Sequence, residues 1–401
     1  MHISGEDFRL LKSGQVPSDD ELMCRMFIGQ RDWIDEFKDY YLYNFVGKGY
    51  GSKVKFLIGS EGCGKTHALR LLGKYAKDMG YEVCHLSIKD LDIKISDMAS
   101  LYKEICNQVN KERIVAGLCK RVASDIGYND YDGDVLFLPI MLEYEKGIPA
   151  SDAKKEIRRS LGSIIKKLDV LPSFVTFCFQ ACHARMVDDN NEVIDILLKW
   201  LSGISLTRQE KNQVGIFDKL QRHNARLWLN CLIKLLDFVG IKGLFVAIDD
   251  LESVLYKNDA SKTLNYTRGN LNDLFEMIRQ FIDETEHISN FIIFFAGRNE
   301  LLDDEKRGFK SYEALQMRIQ TGIIQKELFN PYADIIDFDQ WLCNKDESFF
   351  KEINYNLRSI FEESGYRFDF KMSNFFESES KNIRSAIIET SNFMEGGEDD
   401  D

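Results

Sequence analysis

The chain has 401 residues, 44% of them hydrophobic and 29% charged, with a net charge of −13 and only 5 prolines. This length and composition indicate two or three domains, or one elaborated domain, with ample material for a core. The acidic balance excludes a general nucleic-acid-coating role, because phosphate binding needs concentrated Lys and Arg, and it leaves room for a local basic groove.

Taken in chain order, residues 1–50 read as a lead-in with helical patches. The start, MHISGEDFRLL, has neither a basic n-region nor an apolar h-region, so no secretory signal is expected there. Residues 54–58 (VKFLI) read as a buried strand, and 65–79 as a helix with Leu69, Leu72 and Ala76 on one face, stopped by Gly80. A second strand is expected at 81–88 (YEVCHLSI). Residues 96–240 carry repeated i, i+3/i+4 apolar spacing and read as mostly helical, with breaks at Pro139, Pro149 and Pro172. GLFVAIDDLE (243–252) is an apolar strand ending in acids, and 268–286 reads as a helix. NFIIFFAGRNE (290–300) is another apolar strand with a polar tip. A short strand is expected within 333–338, short helices over 340–394, and a disordered acidic tail over 395–401. Continuous apolar strands alternating with helices imply a parallel sheet covered on both faces. No run of ~18 apolar residues predicts a membrane span. Nine cysteines without close pairing suit reduced thiols, hence a cytoplasmic location. Cys178, Cys182 and His183 resemble a metal half-site, but no second Cys/His pair lies near them, so core packing is the expectation.

The stretch GSEGCGKTHALR, between the first strand and the helix after it, carries G-x-x-x-x-G-K-[ST] as Gly59, Gly64, Lys65 and Thr66. Glycines there let backbone N–H groups close around phosphate oxygens while the helix aims its positive end at them. Ser60, Glu61, Gly62, Cys63 and His67 complete the expected nucleotide-binding set. Lys65 would reach the β- and γ-phosphates, and the Thr66 hydroxyl would ligate magnesium. FVAIDDLE supplies the second half: Asp249 is the candidate magnesium ligand, and Asp250 or Glu252 the candidate to polarise water. Asn299, with Arg298 as the alternative, is the polar residue expected at the tip of a strand lying between the other two.

In these residues the chain resembles the AAA+ superfamily, in its origin-recognition-like and STAND-like branch. More closely, it is similar to the ATP-binding proteins encoded in BREX phage-defence loci. FLIGSEGCGKTHALR, the opening SGQVPSDDEL…FIGQRDWIDEF, the run LLKWLSGISL and NYTRGNLNDLFEMIRQFID carry that likeness. The resemblance implies an α/β P-loop NTPase fold: a core over 51–110 and 216–338, a helical insertion over 111–215, and a small C-terminal helical lid over 339–394. It implies ATP with Mg2+, an adenine contact at Gly29, and Arg384 near the γ-phosphate. Asp250 stands where such proteins often carry Glu, which questions fast hydrolysis. Arg318 is an arginine-finger candidate toward a neighbouring subunit. Partners implied are other defence-system proteins, DNA directly or through them, and a homo-oligomer, with no membrane. Lys154, Lys155, Arg158 and Arg159 on the insertion read first as a solvated helix face, second as a nucleic-acid or acidic-partner contact. Three roles compete: an ATP-driven switch or motor, a DNA-binding loader, and a slowly hydrolysing scaffold.

Overall fold

The computed structural model describes residues 3–28, 31–91, 94–133, 138–258, 262–285, 287–323, 330, 332–368, 382–392 and 394–395. Its centre is built by β1 (Ser52–Ile58), β2 (Glu82–Ser87), β3 (Leu244–Asp249), β4 (Phe291–Gly297) and β5 (Ile335–Asp337). All five are parallel, in the order β2-β3-β4-β1-β5. Every residue of β3 and β4 is buried, as strands covered on both faces require, whereas edge strand β2 alternates buried with half-buried. Edge strand β5 is only three residues long, which limits the backbone it leaves unpaired.

Successive strand side chains point to opposite faces, and each face has its own core. Val54, Phe56, Val246, Ile248, Ile293 and Phe295 enter one cluster, and Leu57, Phe245, Ala247, Ile292, Phe294 and Ala296 the other. Helix Lys65–Asp78 covers the second face with Leu69, Leu72 and Ala76, the stripe read from the sequence.

The helices from Met98–Gln108 to Ala225–Phe238 cover the first face. Two of them open with capping boxes, Asp97 with Ser100 and Thr207 with Glu210, which satisfy orphan backbone donors. Residues 111–215 bury Leu118, Ile157, Phe174, Leu197 and Trp200 in the same cluster as the sheet face, so this segment shares its core with the sheet. At the junction, Trp200 and Trp228 pack with ring centroids 4.6 Å apart, and Phe174 lies 5.0 Å from Trp200. Cys178 and Cys182 are fully buried here, and His183 bonds Asp188 (Nδ1, 2.9 Å) and Arg158. No group of three metal-ligating side chains occurs among the described residues.

One expectation is corrected. The C-terminal part is not made of short helices alone: Glu347–Glu363 is a 17-residue amphipathic helix capped by Asp346, and Arg367–Phe368 pairs antiparallel with Met394–Glu395. The first 50 residues are helical in patches, as expected, and they reach the core. Trp33, Ile34, Phe37 and Leu42 belong to the second face's core, while Leu11 and Leu22 form a third cluster with Leu357, Ile360 and Phe361. Arg25 pairs with Glu363 at 2.6 Å, and the Asn356 amide donates to the Arg25 carbonyl, so the chain's two ends brace each other. Apart from Glu395, the expected tail lies outside the described residues.

One buried charge stands inside the sheet. Lys55 of β1 is fully buried, and its Nζ donates to the carbonyls of Tyr332 (2.8 Å) and Ala333 (2.7 Å). No helix among the described residues is long and apolar enough to cross a membrane.

Candidate functional site

The parallel register brings four strand ends to one edge. Ile58 lies opposite Gly297, Ile248 opposite Phe295, and Ser87 opposite Asp249. The segments following β1, β2, β3 and β4 therefore meet there, the place where open parallel sheets bind ligands.

Residues 59–64 leave β1 and turn into helix Lys65–Asp78. Gly62 (φ 79°) and Gly64 (φ 100°) adopt left-handed conformations that favour glycine. At Gly59 a Cβ would stand 2.9 Å from both Cys63 Sγ and Phe338 Cβ, so the loop is packed from below. Lys65 is nearly buried and its ammonium donates to the carbonyls of Gly59 (2.9 Å) and Ser60 (2.8 Å). It also lies 3.5 Å from Cys63 Sγ, a thiol pushed up to about 11 by burial.

The Thr66 hydroxyl donates to Asp249 Oδ2 at 2.6 Å. These side chains are 183 positions apart and meet because β3 ends and the loop helix begins at the same edge. Asp249 is 3% exposed, and burial raises its pKa although the Thr66 bond opposes the shift. Asp249 Oδ1 accepts from the Asp250 amide, and Asp250 itself sits in a left-handed conformation (φ 57°). Its carboxylate is tied toward β2, 2.5 Å from Lys89 Nζ and accepting from the Ser87 hydroxyl at 3.0 Å.

Glu252 is 3% exposed, and burial raises its pKa. Its Oε1 pairs with Arg298 Nε at 3.1 Å, while its Oε2 has no hydrogen-bond partner among the described residues. Gly297 admits this side chain, since a Cβ there would sit 3.1 Å from Oε2. At the tip of β4, Arg298 reaches Glu61 of the loop (2.6 Å), and the Asn299 amide donates to Asp339 Oδ2 (2.7 Å). Asp339 also accepts from the Ser60 amide and hydroxyl. Burial works against its ionisation, and those bonds outweigh it, leaving its pKa lowered. From the C-terminal part, Arg384 pairs with Glu61 at 2.6 Å and its amide donates to the Gly62 carbonyl.

His67 is half-buried and hydrogen-bonded to the Met23 carbonyl (2.9 Å), and burial of its ring lowers its pKa. It lines a small, solvent-open cleft with Met26, Phe27, Ile28, Ile353 and Ile383. Gly29 lies outside the described residues, one position beyond Ile28 of that lining.

The structure thus gathers Lys65, Thr66, Asp249, Asp250, Glu252, Asn299 and Arg384 around one loop. Arg318 lies apart and pairs with Asp283 of its own chain at 3.0 Å. On the insertion, Lys155 pairs with Asp152, Arg159 with Glu156, and Arg158 with His183. Sequence reading missed Ser87, Lys89 and Asp339. The first two are the polar end of an apolar strand, a signal that was present. Asp339 follows the three-residue β5 and carries no motif.

No curated protein and no solved structure matches the chain. A family model described as BREX system ATP-binding protein BrxC/D matches residues 8–384, nearly the whole length. The chain therefore belongs to this family of ATP-binding proteins of the BREX defence system.

Proposed function

We propose that the chain is a P-loop ATPase of the AAA+ kind, acting as a nucleotide-driven switch or motor among other BREX proteins in the cytoplasm. The observation that carries this reading is the 2.6 Å contact between Thr66 and the buried Asp249. A hydroxyl at a helix start and a carboxylate at a strand end on the same edge form the oxygen donor pair that a hard cation such as magnesium takes. Thr66 and Asp249 would hold that ion, which supplies charge neutralisation for the phosphates. The 59–64 backbone would wrap the phosphates, with Lys65 exchanging its loop carbonyls for phosphate oxygens. The apolar side chains beside His67, among them Phe27 and Ile28, offer a surface against which a base would pack. Asn299 and Glu252 face the same edge for contact with the terminal phosphate or its attacking water. In this reading residues 51–110 and 216–338 are the ATPase core, 111–215 a helical insertion for partners, and 339–394 a lid.

A second reading, slow turnover serving as a latch or scaffold, is favoured by Asp250, whose carboxylate is occupied by Lys89 and Ser87. The test is ATP binding and turnover, with and without double-stranded DNA and candidate BREX partners. Lys65→Ala should lower turnover roughly 100-fold or more, as removal of a charge-stabilising donor does. Asp250→Asn separates the roles: lost turnover supports the switch, and unchanged function supports the scaffold. No ATP binding by the unmodified chain would refute both.

A further inference from the structure

Glu61 at the tip of the loop is a carboxylate where phosphate is to be received, and it is held from two sides. Arg298, at the end of β4, reaches its Oε2 at 2.6 Å, and Arg384, at the start of helix Ile383–Asn392, reaches its Oε1 at 2.6 Å. Further contacts join the loop to that helix. The Asn382 amide donates to the Glu61 carbonyl at 2.7 Å, and the Arg384 amide to the Gly62 carbonyl at 3.1 Å. A Cβ on Gly62 would stand only 2.4 Å from Asn382 Oδ1, so the approach is close. Arg384 also donates to the Ser13 carbonyl, extending the contact to the N-terminal helix Gly5–Lys12.

We propose that Glu61 is a specificity-determining residue: it competes with nucleotide phosphate for Arg298 and Arg384, so that a triphosphate, not a diphosphate, displaces it and resets the C-terminal helix. This rests on the ATP-binding reading of the loop. Both guanidiniums are committed on more than one side, Arg298 to Glu61 and Glu252 and Arg384 to Glu61 and the Ser13 carbonyl, so a phosphate that takes the N–H groups facing Glu61 displaces that carboxylate. A terminal phosphate offers more charge and three acceptor oxygens, and it alone extends beyond the β-position that the loop amides satisfy. The pairs are partly exposed: Glu61 keeps 55% of its side chain in solvent, Arg298 27% and Arg384 38%. Each is therefore weak enough to be exchanged rather than permanent. Two pairs on one carboxylate make the exchange concerted, which ties the helix position to the occupant of the loop.

The test uses the full chain, Glu61→Gln, and Glu61→Gln combined with Arg384→Ala. Affinities for Mg-ATP and Mg-ADP are measured by calorimetry, and amide exchange of residues 383–392 without nucleotide. The expected result is ATP bound about fivefold more tightly by Glu61→Gln, with ADP affinity unchanged. Arg384→Ala should remove that gain, and helix amides should exchange faster in Glu61→Gln without any nucleotide. A Glu61→Gln protein that binds ATP no better, or worse, overturns the competition while leaving ATP binding intact. An unmodified chain that binds no ATP overturns the competition and the reading beneath it.

Discussion

Lys55 makes the chain's stability depend on pH in a window where little else titrates. Its side chain is fully buried in β1, 4.7 Å from the Tyr41 ring centroid, with two carbonyls for partners. Burial, assisted by the like charge of Lys53 and opposed by Asp334, lowers its pKa from 10.5 to about 7. A neutral amine still has two N–H groups, enough for both carbonyls. The folded chain sheds this proton near pH 7, whereas the unfolded chain keeps it to about 10.5. The unfolded state thus binds more protons between those values, and stability from this residue rises with pH. Integrated between pH 7 and 8, the difference is about 1 kcal/mol. His85, lowered to about 4 by burial, titrates below this window. Buried thiols such as Cys106 oppose the trend only nearer their unfolded value of 9.0. Urea unfolding of the wild type and Lys55→Met, both in reductant, at pH 7 and pH 8 reads the effect. Lys55→Met is destabilised overall, by about 1–3 kcal/mol, because two carbonyls lose their donor. The decisive quantity is the change between the two pH values: the wild type should gain about 1 kcal/mol relative to the variant. Parallel pH dependences would refute a buried, readily deprotonated Lys55.

Gly62→Ala places a methyl against Asn382 and Arg384 at a left-handed position, costing about 1–2 kcal/mol locally. Helix Ile383–Asn392 should lose amide-exchange protection while the sheet keeps its own; an unchanged helix would refute the close contact. Trp200→Ala should destabilise by about 3–5 kcal/mol, because it empties the Trp228–Phe174 junction. Since the insertion helices share their core with the sheet, unfolding should remain one transition, and a separate early transition confined to 111–215 would contradict that.

The strands and the loop were legible because their signals are local. Continuous apolar runs mark β1, β3 and β4, and the spacing from Gly59 to Thr66 is itself the geometry of a strand-to-helix turn. Asp249 was legible as the acid ending an apolar strand, and Asn299 as the polar tip of another. Lys55 was not singled out, because VKFLI reads as a buried strand and nothing local shows what a lysine inside it would bond. Only the carbonyls of Tyr332 and Ala333, nearly 280 positions away, admit it to the interior. The long helix Glu347–Glu363 carries a local stripe, Phe349, Ile353, Leu357 and Phe361, but what it packs on, the sheet's second core at one end and the N-terminal helices at the other, no local window contains.

The amino-acid order alone determined that a phosphate-type loop lies between a buried strand and a helix, and that acid- and amide-tipped strands accompany it. Those features follow from side-chain period and backbone freedom within a few residues. Tertiary structure decided the rest. The order β2-β3-β4-β1-β5 sets which strand ends become neighbours. That order brings Thr66 to Asp249, Asn299 to Asp339, and Glu61 between Arg298 and Arg384. Such pairings join residues tens to hundreds of positions apart. They depend on how both faces of the sheet are buried, which no single stretch of sequence encodes.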